Sequence, residues 1–267
     1  MFFTSGYFAA KVIIFTKESS VKELLSVKCR NIAAAKSHNT MKRIFFFVLL
    51  TLCLSPFHRT MAQIIGKFST YYDQRELLFE SLPTSENDII FLGNSLTDGG
   101  EWVELFQNIN CKNRGISGDV CDGVLNRLET ITKGQPAMVF LMIGINDLGR
   151  GGHPDTIALK TRHIVERIKT ESPHTQVFVQ SVLPTNDFYG LFSGHTSRWQ
   201  EVAEINELLK VMASEEEVTY IDLYSHFATE EGKMNLQYSN DGLHINGEGY
   251  KLWHDVIEQQ VGAFPQP

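Results

Sequence analysis

Three short apolar runs constrain this chain more than any other feature of its sequence. Residues 88–92 (Asp-Ile-Ile-Phe-Leu), 137–143 (Ala-Met-Val-Phe-Leu-Met-Ile) and 176–182 (Gln-Val-Phe-Val-Gln-Ser-Val) are nearly continuous in hydrophobicity. Gly93, Gly144 and Pro184 end them. Runs of this length without polar alternation predict strands buried on both faces, as in a parallel sheet covered by helices. Two further strands are expected at residues 112–116 and 218–222. Helices are expected between the strands, over residues 71–82, 102–108, 120–131, 154–171, 198–213 and 249–261. Pro154 suits a first helical turn, where its missing N–H costs nothing. Val202, Ile205, Leu208, Leu209 and Met212 fall on one helical stripe. Strands alternating with helices predict a single doubly wound α/β domain, a five-stranded parallel sheet with helices on both faces. Such sheets bind ligands at the carboxyl ends of their strands.

Charge divides the chain into two parts. Residues 1–62 hold nine Lys and Arg against Glu18 and Glu23, a net of +7, while the other 205 residues carry 15 bases and 29 acids, a net of −14. So acidic a body repels nucleic acid and anionic bilayers and suits small neutral substrates. Met41-Lys42-Arg43, an apolar stretch at 44–54 too short to span a bilayer, Pro56, and Thr60-Met61-Ala62 before Gln63 read as a secretory signal. The ordinary alternative is a buried helix that happens to begin with Lys-Arg. Leu52 precedes Cys53 where a lipid-attachment site needs a small residue, which argues against lipoprotein anchoring. The expected organisation is an upstream extension (1–40), a signal peptide (41–62) and one domain (63–267). That domain would be exported, periplasmic or secreted, with no stable membrane insertion once the signal is removed.

Four short motifs fall at the predicted strand ends. Gly93-Asn94-Ser95-Leu96 follows the first strand and can expose the Ser95 hydroxyl at a strand-to-helix turn; the plainer reading is an N-cap serine. Thr97 stands where a G-x-S-x-G elbow needs its last glycine. Asn113-Arg-Gly115-Ile-Ser-Gly118-Asp119 brings backbone N–H groups near a ligand or simply makes a turn. No dinucleotide fingerprint or P-loop occurs. In Gly144-Ile-Asn146-Asp147, Asn146 can donate its amide to an oxyanion or close an Asx-turn, and Asp147 reads as a turn or cap residue. Asp241-Gly-Leu-His244 places a carboxylate where it can orient an imidazole, or forms an ordinary surface loop. Metal ligation is the other alternative for this pair, but neither His-Glu-x-x-His nor paired cysteines accompany it. Cys111 and Cys121 flank the second strand and are expected to remain free thiols, since an extended segment holds them too far apart to bond.

In order and placement these four motifs resemble the SGNH hydrolases, also called the GDSL esterase/lipase family, over residues 88–254. The resemblance implies a flavodoxin-like sheet, Ser95 as nucleophile, and Asp241 and His244 as the rest of a triad. It also implies an oxyanion hole of the Ser95 N–H, Gly118 and Asn146, with no cofactor or metal. The family's Gly-Asp-Ser reads Gly-Asn-Ser here; Asn94 is not the triad acid, so the assignment stands. Members related to sialate and carbohydrate O-acetylesterases and to platelet-activating-factor acetylhydrolases carry similar blocks. The expected function is therefore hydrolysis of short acyl esters, O-acetyl above all, on small molecules or glycans. The alternatives are a lysophospholipase or thioesterase taking longer chains, and a noncatalytic glycan-binding protein. Phe188, Tyr189, Phe192 and Trp199, after the fourth strand, are candidates for stacking on a sugar, and Leu148, Phe188, Leu191 and Phe192 for lining an acyl groove; simple loop packing is the alternative. The sequence does not specify the oligomeric state.

Overall fold

A computed structural model describes residues 68–263. The expected signal segment and upstream extension lie outside them. Five strands form one sheet: β1 (Ile89–Gly93), β2 (Cys111–Gly115), β3 (Met138–Met142), β4 (Gln176–Gln180) and β5 (Thr219–Ile221). All four pairings are parallel and the spatial order is 2-1-3-4-5. In that order the crossovers leave β1 and β3 in opposite directions, opening a crevice at their carboxyl ends.

Strand periodicity sorts the core into two layers. Ile90, Leu92, Val139, Leu141, Val177 and Val179 face one way and are aliphatic. They pack against α4 (Cys121–Asn126), α5 (Glu129–Thr132), α7 (Pro154–Glu171) and α9 (Trp199–Glu215). The other face carries Ile89, Phe91, Met138, Phe140 and Phe178 and packs against α3 (Trp102–Phe106) and α11 (Gly247–Gly262). Rings dominate there: Phe91 stacks on Trp102 at 4.1 Å and Phe140 on Phe178 at 4.6 Å. The first helix of the described residues, α1 (Thr70–Ser81), capped by Ser69, buries Tyr72 and Phe79 beside Ile116. The remaining helices are one-turn pieces: α2 (Ser95–Asp98), α6 (Ile145–Gly149), α8 (Ser193–Thr196) and α10 (Tyr224–Phe227).

The long elements fall where expected to within one or two residues at their ends, the one-turn helices were not expected, and one helix is divided. The single helix expected over 120–131 is two, broken at Arg127 and Leu128. There the Thr130 hydroxyl takes the Arg127 carbonyl at 2.8 Å, and i→i+3 bonds replace the α-helical ladder. The second strand begins one residue earlier than expected, at Cys111. Cys111 and Cys121 are unpaired, as expected, and both are buried.

Candidate active site

The site grows from the end of β1. A Cβ at Gly93 would lie 2.3 Å from Thr97 Oγ1 and 2.4 Å from the Met142 carbonyl, so glycine alone lets the chain turn this tightly against β3. Asn94 then caps α2, its Oδ1 accepting the Leu96 N–H at 3.1 Å. Ser95 is the first residue of α2, where a backbone N–H has no acceptor inside its helix. Asn113 holds the turn from the β2 side. Its Nδ2 is 2.9 Å from the carbonyls of Thr97, Asp98 and Gly100, and its Oδ1 accepts the Gly115 N–H.

The loop before α11 brings Asp241 and His244 to Ser95. Ser95 Oγ lies 3.1 Å from His244 Nε2, and His244 Nδ1 lies 2.8 Å from Asp241 Oδ2. Asp241 Oδ1 accepts the N–H groups of Leu243 and His244 at 2.8 and 2.7 Å. Partial burial pushes the Asp241 carboxyl up, but those N–H groups and the imidazole outweigh it and hold its pKa below the usual carboxylate value. An ionised Asp241 accepts from Nδ1–H, which leaves Nε2 as an acceptor for the Ser95 hydroxyl. A hydroxyl in this row can be deprotonated as it attacks a carbonyl.

Gly118 and Asn146 come from the two strands that flank Ser95's strand, Gly118 from the loop after β2 and Asn146 from α6, just after β3. Gly118 has φ +80°, and its N–H donates to no other group among the described residues. Its carbonyl accepts from Arg150 Nη2 at 2.7 Å. Asn146 is buried; one amide hydrogen goes to the Asp119 carbonyl at 2.8 Å, leaving the second for a ligand. Asp147 accepts the Cys121 N–H at 3.0 Å, so it caps α4 from outside that helix.

Two residues at this site escape a reading of the motifs. Arg127 is fully buried: its Nε meets Asp119 Oδ2 at 2.9 Å, and its Nη2 donates to the Gly93 carbonyl at 3.2 Å. It ties the loop bearing Gly118 to the turn bearing Ser95. Burial pushes the Asp119 carboxyl up in spite of this partner. His195 Nε2 lies 3.0 Å from Asn146 Oδ1. The motifs mark neither, because their partners Gly93 and Asn146 lie 34 and 49 residues away in the sequence.

The expected substrate residues separate. Phe188 is 70 % exposed and stands edge-on to Tyr189, whose hydroxyl reaches the Ser239 carbonyl at 3.4 Å, two residues before Asp241. Trp199 opens α9 with the Lys233 ammonium 5.0 Å from its ring centre. Phe192, from the same segment, is the ring that meets His244, edge-on at 5.2 Å. Among the described residues, no group of three or more His, Cys, Asp or Glu could hold a metal ion.

Parallel α/β proteins with a serine, imidazole and carboxylate in a row at this edge of the sheet form a class of acyl hydrolases, and comparison with known proteins makes the membership specific. The model of the GDSL-like Lipase/Acylhydrolase family matches residues 91–252, and the chain belongs to that family. It is a carboxylic ester hydrolase of the acylhydrolase type. It is 28% identical over 195 residues to platelet-activating factor acetylhydrolase IB subunit alpha2 of Rattus norvegicus, which covers 68% of this chain and 80% of the rat protein. Among solved structures it is similar to a GDSL-like lipase from Bacteroides thetaiotaomicron, with TM-score 0.64 and 24% identity over 72% of this chain and 97% of that one. An acetylxylan esterase from Geobacillus stearothermophilus shares the fold with TM-score 0.54 and 18% identity, over 67% and 96% of the two chains.

Proposed function

We propose that this acylhydrolase is a serine esterase that releases short acyl groups, acetyl above all, from carbohydrate esters. The observation that carries the reading is the unbroken hydrogen-bonded row Ser95–His244–Asp241 at 3.1 and 2.8 Å. His244 Nε2 takes the Ser95 proton as Oγ attacks the ester carbonyl carbon, and Asp241 stabilises the imidazolium. The oxyanion receives the Ser95 and Gly118 N–H groups and the second Asn146 amide hydrogen. The tetrahedral species collapses, His244 returns its proton to the departing alcohol, and the acyl group stays on Ser95. Water, deprotonated by the same imidazole, then attacks the acyl-enzyme and frees the acid and Ser95. No cofactor enters this sequence.

The acetyl preference is supported by the 28% identity to a protein named an acetylhydrolase. The carbohydrate alcohol is supported by exposed rings on the segment beside His244, Phe188 and Phe192, with Tyr189, and by a body whose charge of −14 favours neutral substrates. Export through the 41–62 signal is part of the proposal, and would place the 63–267 domain where extracellular glycans occur.

A panel of p-nitrophenyl esters tests the acyl preference. Values of kcat/KM should be highest for acetyl and fall through butyryl, octanoyl and palmitoyl. A maximum at octanoyl or beyond transfers the assignment to a lysophospholipase or thioesterase, and no turnover of any ester leaves a glycan-binding protein.

A further inference from the structure

We infer that His195 is a positioning residue for the oxyanion hole, locking the Asn146 carboxamide with its N–H toward the substrate. The inference rests on Asn146 serving as an oxyanion donor.

A primary amide can turn over about its last bond and exchange N for O, and the wrong orientation would set a carbonyl oxygen against a developing anion. Asn146 is held from both sides. Nδ2 donates to the Asp119 carbonyl at 2.8 Å, a group that can only accept. Oδ1 is therefore the atom facing His195 Nε2 at 3.0 Å, and Nε2 must be the donor. His195 thus carries its proton on Nε2. Burial, and after it the neighbouring His244 and Arg150, lower the His195 pKa and favour this neutral form.

The fold is shaped to bring the ring there. His195 lies in α8, which packs on α6, the helix that carries Asn146. A Cβ at Gly149 would lie 2.4 Å from the His195 ring, and a Cβ at Gly194 would lie 2.8 Å from the Gly149 carbonyl. Two small residues thus bring the helices into close contact where the ring crosses. Arg198 Nη1 donates to the Leu148 carbonyl at 2.6 Å, and the His195 N–H donates to the Phe192 carbonyl at 2.8 Å. The Asp119 carbonyl on the opposite side is fixed in turn, since Arg127 holds that residue's carboxylate.

The test is a double-mutant cycle read on an acetyl ester. His195→Leu should lower kcat by about 10- to 100-fold, less than removal of the whole donor, and leave KM within about twofold. His195→Gln can donate an amide N–H to Oδ1 and should recover most of kcat. In an Asn146→Ala background His195→Leu should cost less than about twofold more, because the group it orients is gone. Wild-type kcat in His195→Leu, equal losses for Leu and Gln, or an undiminished loss in the Asn146→Ala background each overturn the inference. Should His195→Leu fail to fold in a thermal melt, Gly149→Ala displaces the ring from outside. It must then lower kcat through Asn146 in the same way, and wild-type turnover in Gly149→Ala overturns the inference equally. Ser95→Ala separates the two levels. If it stays active the triad reading fails; if it is dead while His195→Leu is unaffected, only the positioning role fails.

Discussion

Ser95 contributes its hydroxyl to a partner rather than to packing, so Ser95→Ala should abolish ester turnover while the melting temperature stays within about 2 °C of wild type. Asn146→Ala should lower kcat by on the order of 10²–10³, the usual loss of one oxyanion donor. Asp241 lies below the ordinary carboxylate pKa in the folded protein, so it stays ionised well into acid. Activity should therefore not be lost to protonation of Asp241 until well below neutral pH, which a stopped assay of kcat/KM against pH would check. A depressed carboxylate also stabilises the fold above its unfolded-state pKa, a contribution lost as pH falls through the folded value. The residues of this row are legible in the sequence because each sits in a short motif beside a predicted element, Ser95 where a strand run stops and Asp241 and His244 just before the last helix. His195 and Arg127 are not, because their partners Asn146 and Gly93 are 49 and 34 residues away and only the folded sheet edge brings them together.

Elements follow the same logic. β1 and β3 are visible in the sequence because burial on both faces leaves no polar residue to interrupt them, β4 because its centre is Val-Phe-Val, and α7 and α9 because four or more turns establish a stripe. One-turn helices such as α2 and α6 are too short to show any period, yet they carry Ser95 and Asn146. The break between α4 and α5 is also hidden, because it depends on a buried arginine turning inward to Asp119. Arg127→Met should therefore cost about 3–5 kcal/mol, the price of an unpaired buried carboxylate. In a scanning calorimeter this is a fall of roughly 10 °C for a domain of this size. Asp119→Asn added to Arg127→Met should regain part of it, because the remaining group is then neutral. A single variant melting within 2 °C of wild type would contradict the role assigned to the pair.

Across the described domain, the 2-1-3-4-5 order places the turns after β1 and β3 side by side, which is why Ser95 and Asn146, 51 residues apart, share one crevice. The layered core also seals both thiols of the domain. Burial pushes Cys111 up to about 12, and burial with the neighbouring Asp147 pushes Cys121 well above the ordinary thiol value. Neither should react with a thiol reagent in the native protein, and both should titrate after unfolding without reductant. A count of zero in the unfolded protein would mean a bond that the described structure does not contain. Exported material should begin at or near Gln63, and amino-terminal sequencing that found Met1 or Met41 would refute processing at that site.

Reaction with a fluorophosphonate ester tests the assignment of the nucleophile most directly, because the reagent phosphonylates a serine, with loss of fluoride, only where a base activates it and an oxyanion hole receives the oxygen. Activity should be lost in step with a single adduct whose peptide contains Ser95, and the Ser95→Ala protein should show neither adduct nor turnover. An adduct on another residue, or full esterase activity in Ser95→Ala, would contradict the assignment.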